Sequence, residues 1–394
     1  MTRDPERRER VRRALEAAGL DAVVCQLPEN LVLLAGYWPV IGRSAVVFPT
    51  DGEPVVLAPV LDTDALNRAT VDDVRTFPVW KMGDPSPEDS LERLLTDTLG
   101  QMGLRGKRIG FEAGFEDVSP TQKVLEPWVP GAAAQALIRR AAAGSQLVDA
   151  ADILMQTRAR KTPFEVARIR TACEIGDMGL AAFRAAVEAG KTEAQVAAEV
   201  EYAVMVGGAG YHDTIHARGQ AFVFSGAERI HQFGWGLAPN TRRRLQPGDM
   251  VMVELSVVAD GYYADLTRVR TVGPASEDQR HAYQACLEAQ AAAMRAVHPG
   301  ATGAEVDAAA RTVLNRHGLG EAFIHLTGHG VGFRYHDGPP ALLPNSTSTL
   351  AEGMVHSLEP GIYLPGLGGI RIEDDVAVTE SGCDCLSHAG RGLD

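Results

Sequence analysis

The chain has 394 residues, 45% hydrophobic and 23% charged, a length and balance that fit a globular protein of about two domains rather than one core. A formal net charge of −13 disfavours nucleic acid or an anionic membrane as the main partner, and no apolar run approaches the ~18 residues of a membrane span. The five cysteines, at 25, 173, 286, 383 and 385, are odd in number and scattered, which reads as reduced thiols rather than a disulfide framework.

The N-terminus is charged from Arg3 onward and lacks an apolar stretch, and acids are mixed among its arginines. Neither a secretion signal nor a transit peptide is expected, so the location read from sequence is cytoplasmic. Residues 6–18 predict an amphipathic helix ending at Gly19, followed by a short strand over Ala22–Cys25. Ser44–Phe48 and Pro54–Ala58 flank Pro49-Thr50-Asp51-Gly52, a hairpin signal. Arg108–Phe111 predicts another strand. Residues 1–150 carry no acid–base cluster and no phosphate loop, so this α/β domain is expected to serve as support, oligomer contact or lid. Ala141–Gln156 has small residues and little turn chemistry, which predicts a linking helix, with 151–160 as the linker. At Lys161-Thr162-Pro163-Phe164-Glu165, Thr162 can cap, Pro163 suits the first helical position and Glu165 completes a capping box. A second domain, 161–394, is expected to begin there.

That domain contains an internal repeat. Gly190-Lys191-Thr192-Glu193-Ala194-Gln195-Val196 returns 110 residues later as Gly300-Ala301-Thr302-Gly303-Ala304-Glu305-Val306. Each copy follows an alanine-rich helical segment and opens another helix through Thr-x-x-Gln/Glu. Two similar αβ halves facing each other are the expectation. Cys383-x-Cys385 has no second pair to complete a zinc site and reads as a C-terminal loop.

Met250–Val258 is strand-like, Asp260-Gly261 is a two-residue hairpin turn, and Tyr262–Val272 returns. With that turn central, Ala259 faces Tyr262, Ser256 faces Asp265 and Glu254 faces Thr267. Side chains alternate, so Glu254, Ser256, Asp265 and Thr267 share one face. Two carboxylates can then converge on a cation above the small Ser256. Alone, the hairpin reads as a polar surface. Three later segments change that: Thr327-Gly328-His329-Gly330-Val331-Gly332-Phe333-Arg334-Tyr335-His336-Asp337, Leu358-Glu359-Pro360-Gly361-Ile362-Tyr363, and Gly369-Ile370-Arg371-Ile372-Glu373-Asp374-Asp375. Each carries an acid or histidine in a β-type setting, beside glycine or proline.

Together, Glu254-x10-Asp265, His329-Gly-x-Gly, Glu359-Pro-Gly-Ile-Tyr and Arg371-Ile-Glu373-Asp resemble the pita-bread metallopeptidases, the family of methionine aminopeptidase, aminopeptidase P and prolidase, with creatinase as a metal-free relative. Residues 1–150 resemble the N-terminal domain of the creatinase, aminopeptidase P and prolidase branch. The resemblance implies an α/β N-terminal domain and an α+β catalytic domain with a pseudo-twofold repeat. It also implies two divalent ions bridged by Asp265 and Glu373, with His329 and Glu359 completing one ion and Glu254 binding the other. Four carboxylates and one imidazole favour manganese ahead of cobalt or zinc. In the family, Glu359 shuttles a proton from the activated water to the leaving nitrogen. His336 and His231 match the two histidines that steady substrate, and Thr267 and Arg371 orient the carboxylates. Cleavage of Xaa-Pro bonds in short peptides by a homodimer is the implied function.

Two positions depart from the pattern. Glu254 stands where the family has Asp, which predicts a weaker or differently bound second ion. Pro340 stands where prolidases often carry an arginine for the dipeptide carboxylate, leaving Arg334 or a group from the N-terminal domain as a substitute. That gap leaves dipeptidase and aminopeptidase P hard to separate; the compact chain, with no third domain expected, favours Xaa-Pro dipeptidase, with aminopeptidase P as runner-up. A metal-poor peptide-binding pseudoenzyme and a creatinase-like hydrolase or lyase are rivals of other classes. His325, His212 and His216 have no assigned role.

Overall fold

A computed structural model gives the fold, with residues 4–40, 42–79, 85–114, 131–236 and 238–394 described. The chain divides into two compact units, one running to Arg158 and the other continuing from Ala159 to Asp394.

The first unit contains α1 (Pro5–Ala17), β1 (Ala22–Cys25), α2 (Pro28–Ala35), β2 (Ala45–Pro49), β3 (Val55–Pro59), α3 (Thr63–Leu66), β4 (Asp73–Phe77), α4 (Pro87–Gln101), β5 (Arg108–Phe111), α5 (Gly131–Ala141), β6 (Gln146–Asp149) and α6 (Ala151–Ala159). Helix α1 starts where Asp4 accepts the Arg7 N–H, with proline at the first turn. The strands form one mixed sheet in the order β4-β3-β2-β1-β5-β6. Its central strands β1, β2 and β3 are buried along their whole length, as apolar runs without alternation require when both faces are covered.

The predicted hairpin is β2–β3. The stretch 141–156 is corrected: it is not one helix, because Gln146–Asp149 pairs in parallel with β5 as an edge strand. The chain breaks at Gly144, whose φ of +88° suits glycine. The Leu147-Val148 pair is too short to announce a strand without its partner.

The second unit contains α7 (Pro163–Ala186), α8 (Glu193–Gly208), β7 (Ala217–Ser225), α9 (Ala227–Phe233), β8 (Met250–Ala259), β9 (Tyr262–Thr271), α10 (Glu277–Ala296), α11 (Gly303–Arg316), β10 (Gly328–His329), β11 (Ala341–Leu342), β12 (Val355–Leu358), β13 (Gly361–Leu364), β14 (Gly368–Arg371), β15 (Asp374–Val378) and β16 (Cys383–Cys385). Thr162 and Glu165 form the predicted capping box of α7. Cys383-x-Cys385, expected as loop, pairs with β15 instead, and Cys383 packs against the core beneath it.

The repeat is real in the backbone. Thr192 and Thr302 each close a capping box. Gly190 N–H donates to Leu245 O and Leu245 N–H to Lys191 O; Gly300 N–H donates to Leu350 O and Leu350 N–H to Ala301 O. The same two-bond clasp therefore ties each helix start to a returning loop. Between the halves lies a large core in which β8 and β9 meet α10, α11 and the C-terminal strands, with Met252, Val269, Ala289, Leu314, Leu358, Ile370 and Ile372 fully buried or nearly so.

Candidate active site

The β8–β9 hairpin has the predicted register, with Glu254 opposite Thr267, Ser256 opposite Asp265 and Ala259 opposite Tyr262. The Asp-Gly turn fixes that pairing, with Asp260 at φ +47° and Gly261 at φ +86°, as a tight two-residue hairpin demands.

Glu359 and Glu373 sit in matching interruptions of a second ladder. Strands β12 and β15 pair up to Leu358↔Asp374, and β13 and β14 pair from Gly361↔Arg371. Glu359-Pro360 and Ile372-Glu373 fill the gap between. Proline cannot donate to the ladder, and a break of this kind re-aims side chains. Glu373 is tied back by its N–H to Thr267 O at 3.2 Å, which brings the second ladder onto β9.

His329 comes from the short pair β10–β11. A Cβ on Gly328 would lie 2.0 Å from Ser357 O, and one on Gly330 2.7 Å from Asp337 O. The glycines flanking His329 thus allow a backbone approach that no side chain permits. The turn beyond is closed by Asp337, whose carboxylate accepts the Phe333 N–H at 3.0 Å and pairs with buried Lys161 at 3.3 Å.

These elements bring all five predicted ligands together. Ligand atoms of Glu254, Asp265 and Glu373 lie within 4.8 Å of one another, as do those of His329, Glu359 and Glu373. A third set within that distance joins Asp265 and His329 to His336. All five residues are buried. His329 Nδ1 is 3.0 Å from Gly330 O; with the proton on that nitrogen, Nε2 presents a lone pair 3.2 Å from Asp265 Oδ2 and 3.5 Å from Glu359 Oε1. A lone pair facing two carboxyl groups calls for a proton or a cation between them.

Two further observations agree with a cation. Asp265 Oδ1 is buried without a hydrogen-bond partner, a costly state for a carboxylate. Burial, then the neighbouring acids, push Asp265 and Glu359 well above the usual carboxylate range. Glu373 is pushed up to about 7, chiefly by burial, against the lowering effect of Arg371. Burial holds His329 down at about 4 and His336 at about 2, so both imidazoles are neutral. Oxygen-rich, neutral-nitrogen donors of this kind fit a divalent ion.

The supporting residues are arranged around this cluster. Thr267 Oγ1 reaches Glu254 Oε2 at 2.8 Å and Glu373 Oε2 at 2.6 Å, and Arg371 Nε donates to that hydroxyl at 3.0 Å. Arg371 also pairs with Glu254 and donates to Gly234 O at 3.0 Å. His231 lies on α9, which ends just before Gly234, and its Nδ1 is buried without a partner, as is that of His336. Arg334 is buried in the turn before His336.

Sequence reasoning missed four neighbours. Ser357 accepts the His329 N–H at 3.1 Å and donates to Glu359 at 3.0 Å. Asp375 accepts the Asp265 N–H at 2.9 Å. Tyr335 donates to Glu254. His325, left unassigned, lies 3.1 Å from the Tyr363 hydroxyl and 3.9 Å from Glu359 Oε2. All four stood inside a quoted motif or within two residues of one, but nothing local marked them as partners of the cluster. His212 and His216 belong to the turn before β7, where His212 is 3.8 Å from Glu174 and the His216 N–H donates to Asp260 at 2.9 Å.

A fold of two αβ halves around a buried carboxylate–histidine cluster defines a class, and known sequences identify it. Residues 167–380 match metallopeptidase family M24, and residues 7–160 match the creatinase/prolidase N-terminal domain. The chain belongs to metallopeptidase family M24. An Xaa-Pro dipeptidase of Pyrococcus furiosus is 39% identical over 244 residues, 61% of this chain and 67% of that one. The chain thus spans about two thirds of that relative's length in the matched region. A probable dipeptidase PepE of Mycobacterium bovis is 32% identical over 89% of this chain and 84% of its own. The crystal structure of a prolidase from Pyrococcus horikoshii OT3 superposes with a TM-score of 0.75 at 26% identity, covering 99% of this chain and all of that one. Among the described residues, no helix is long and apolar enough to cross a membrane.

Proposed function

We propose that this chain is an Xaa-Pro dipeptidase whose catalytic domain is 161–394, joined through 151–160 to an N-terminal domain at 1–150. The observation that carries the reading is the convergence of Glu254, Asp265, His329, Glu359 and Glu373 into overlapping donor sets within 4.8 Å. Asp265 and Glu373 are assigned as bridging ligands, His329 and Glu359 as ligands of one ion, and Glu254 as ligand of the other. The oxygen-rich set favours manganese over cobalt or zinc. Two such ions, when bound, lower the pKa of a shared water and draw charge from a carbonyl.

The chain's own groups do the rest. Glu359 takes the proton of the attacking water and passes it to the proline nitrogen. Ser357 fixes one of its oxygens. His336 and His231 each keep a ring nitrogen without an internal partner, and a neutral imidazole can donate to the substrate carbonyl or to the developing oxyanion. Thr267 and Arg371 hold Glu254 and Glu373 in place. Arg334 is assigned to the substrate carboxylate.

Proline is chemically distinctive because an Xaa-Pro bond is a tertiary amide without an N–H and its ring fixes φ. A site that works through the carbonyl and the leaving nitrogen, without reading an N–H, accepts it. Short proline-containing peptides are the substrates, a homodimer the expected assembly and the cytoplasm the expected location. Incubating the manganese-loaded protein with Xaa-Pro and Xaa-Pro-Yaa peptides tests this reading. Cleavage of the dipeptides alone supports it, cleavage of the tripeptides points to aminopeptidase P, and cleavage of neither by metal-loaded protein overturns it in favour of a lyase or a binding protein.

A further inference from the structure

Glu254 differs from the other three acids and the histidine of the cluster in how its side chain is engaged. Its Oε1 accepts from the Tyr335 hydroxyl. Its Oε2 faces both the Arg371 guanidinium and the Thr267 hydroxyl. Both oxygens are therefore held by protein donors, whereas Asp265 keeps one oxygen with no partner at all. One phenol therefore occupies a carboxylate oxygen that the second ion has to use. Tyr335 is buried, and His329 and His336 pack their rings against it at 6.0 and 4.7 Å between centroids. It cannot swing into solvent without disturbing both.

We infer that Tyr335 is a positioning residue that sets the affinity of the second ion, by competing with that ion for the Glu254 carboxylate. This rests on the two-ion peptidase reading and extends it to a residue outside the ligand set. An entering cation has to displace a hydrogen bond from a hydroxyl to a charged acceptor, and such bonds are among the stronger ones in proteins. The longer side chain at 254 matters here because it carries the carboxylate out to the phenol. Shortening it by one methylene withdraws it by roughly one carbon–carbon bond.

The test is calorimetric titration of the metal-free, full-length protein with manganese chloride, with electron paramagnetic resonance counting the bound Mn(II). The wild type is expected to show two classes of ion, the second weaker. Tyr335→Phe removes only the hydroxyl and should tighten the second class by about tenfold or more while leaving the first unchanged. Glu254→Asp, a separate variant that leaves Tyr335 intact, should give a gain in the same direction. If both act through one contact, the double variant gains no more than the better single one. The inference is overturned if Tyr335→Phe weakens or abolishes the second class, which makes the phenol a ligand, or leaves it unmoved, or if the two gains add. A wild type that binds no manganese at all overturns the peptidase reading as well, so the two failures are distinguishable.

Discussion

The two ends of the carboxylate cluster are built on different principles. At the His329–Glu359 end, Ser357 ties the histidine backbone to the glutamate side chain, and the donor atoms face each other with no counter-charge between them. At the Glu254 end, a guanidinium, a threonine and a tyrosine already satisfy the carboxylate. The first end gathers ligand atoms of a histidine and two carboxyl groups without a basic side chain between them. The second is nearly content with protein partners alone. Both ends are buried, so the difference between them lies in the supply of hydrogen-bond donors and not in desolvation, and on the proposed two-ion reading it makes the Glu254 side the weaker site.

The largest effect should come from the reactive carboxyl at the first end. Glu359→Gln is expected to lower kcat for an Xaa-Pro dipeptide by about 10²–10⁴-fold, the usual worth of a general acid–base, with the circular dichroism spectrum unchanged. Retained turnover would remove Glu359 from its assigned role. Next is Ser357→Ala, which touches no substrate but frees both His329 and Glu359. It should weaken the tighter manganese class by about 10–100-fold and leave the weaker class alone; the reverse pattern in a titration would mean the two ends have been assigned the wrong way round.

The pH dependence should sharpen the contrast. Glu373 is raised from the ordinary 4.5 to about 7, so in the metal-free chain it keeps its proton until near neutrality. An ion must displace that proton, and the raised Asp265 and Glu359 act in the same direction, so manganese affinity should climb with pH through about 7 instead of levelling off above 4.5. His329, lowered to about 4, is neutral throughout that range and does not compete. The sign for folding is the opposite. A carboxyl bound to its proton more tightly when folded loses its contribution to stability as pH rises from 4.5 through about 7, and bound manganese should cancel that loss. A metal affinity flat between pH 5 and 7 in titrations at fixed ionic strength would contradict the shift.

The smallest effect belongs to the well-satisfied end. Thr267→Val removes the hydroxyl shared by Glu254, Glu373 and Arg371. It should cost about 1–3 kcal/mol of stability in denaturant unfolding of the metal-free protein, the usual penalty for stranding buried polar partners. No loss would mean the three groups are held without it.

What could be read from the sequence was what is local. The β8–β9 register followed from Asp260-Gly261 and alternation alone, and it put Glu254 and Asp265 on one face before any fold was in view. The helix starts at Thr162, Thr192 and Thr302 were legible because a capping box is complete within four residues. The ligand set needed the family resemblance to join segments that lie up to 119 residues apart in sequence, from Glu254 to Glu373. Strand β6 was hidden because a four-residue edge strand takes its identity from a partner 38 positions away. Tyr335 was hidden for a related reason: its contact with Glu254 crosses 81 residues, and nothing in Arg334-Tyr335-His336 distinguishes a packing aromatic from one that donates into an ion site. Asp375 and Ser357, likewise, acquire their meaning only where β12 and β15 pair.

The central claim is that the cluster holds divalent ions unequally. Anomalous X-ray diffraction at the manganese edge, on crystals of the wild type grown with limiting manganese, addresses it directly. The account predicts one strong peak bounded by Asp265, His329, Glu359 and Glu373, with a second, weaker peak on the Glu254 side that grows as manganese is raised. Equal peaks at limiting metal, or a first peak beside Glu254, would contradict it.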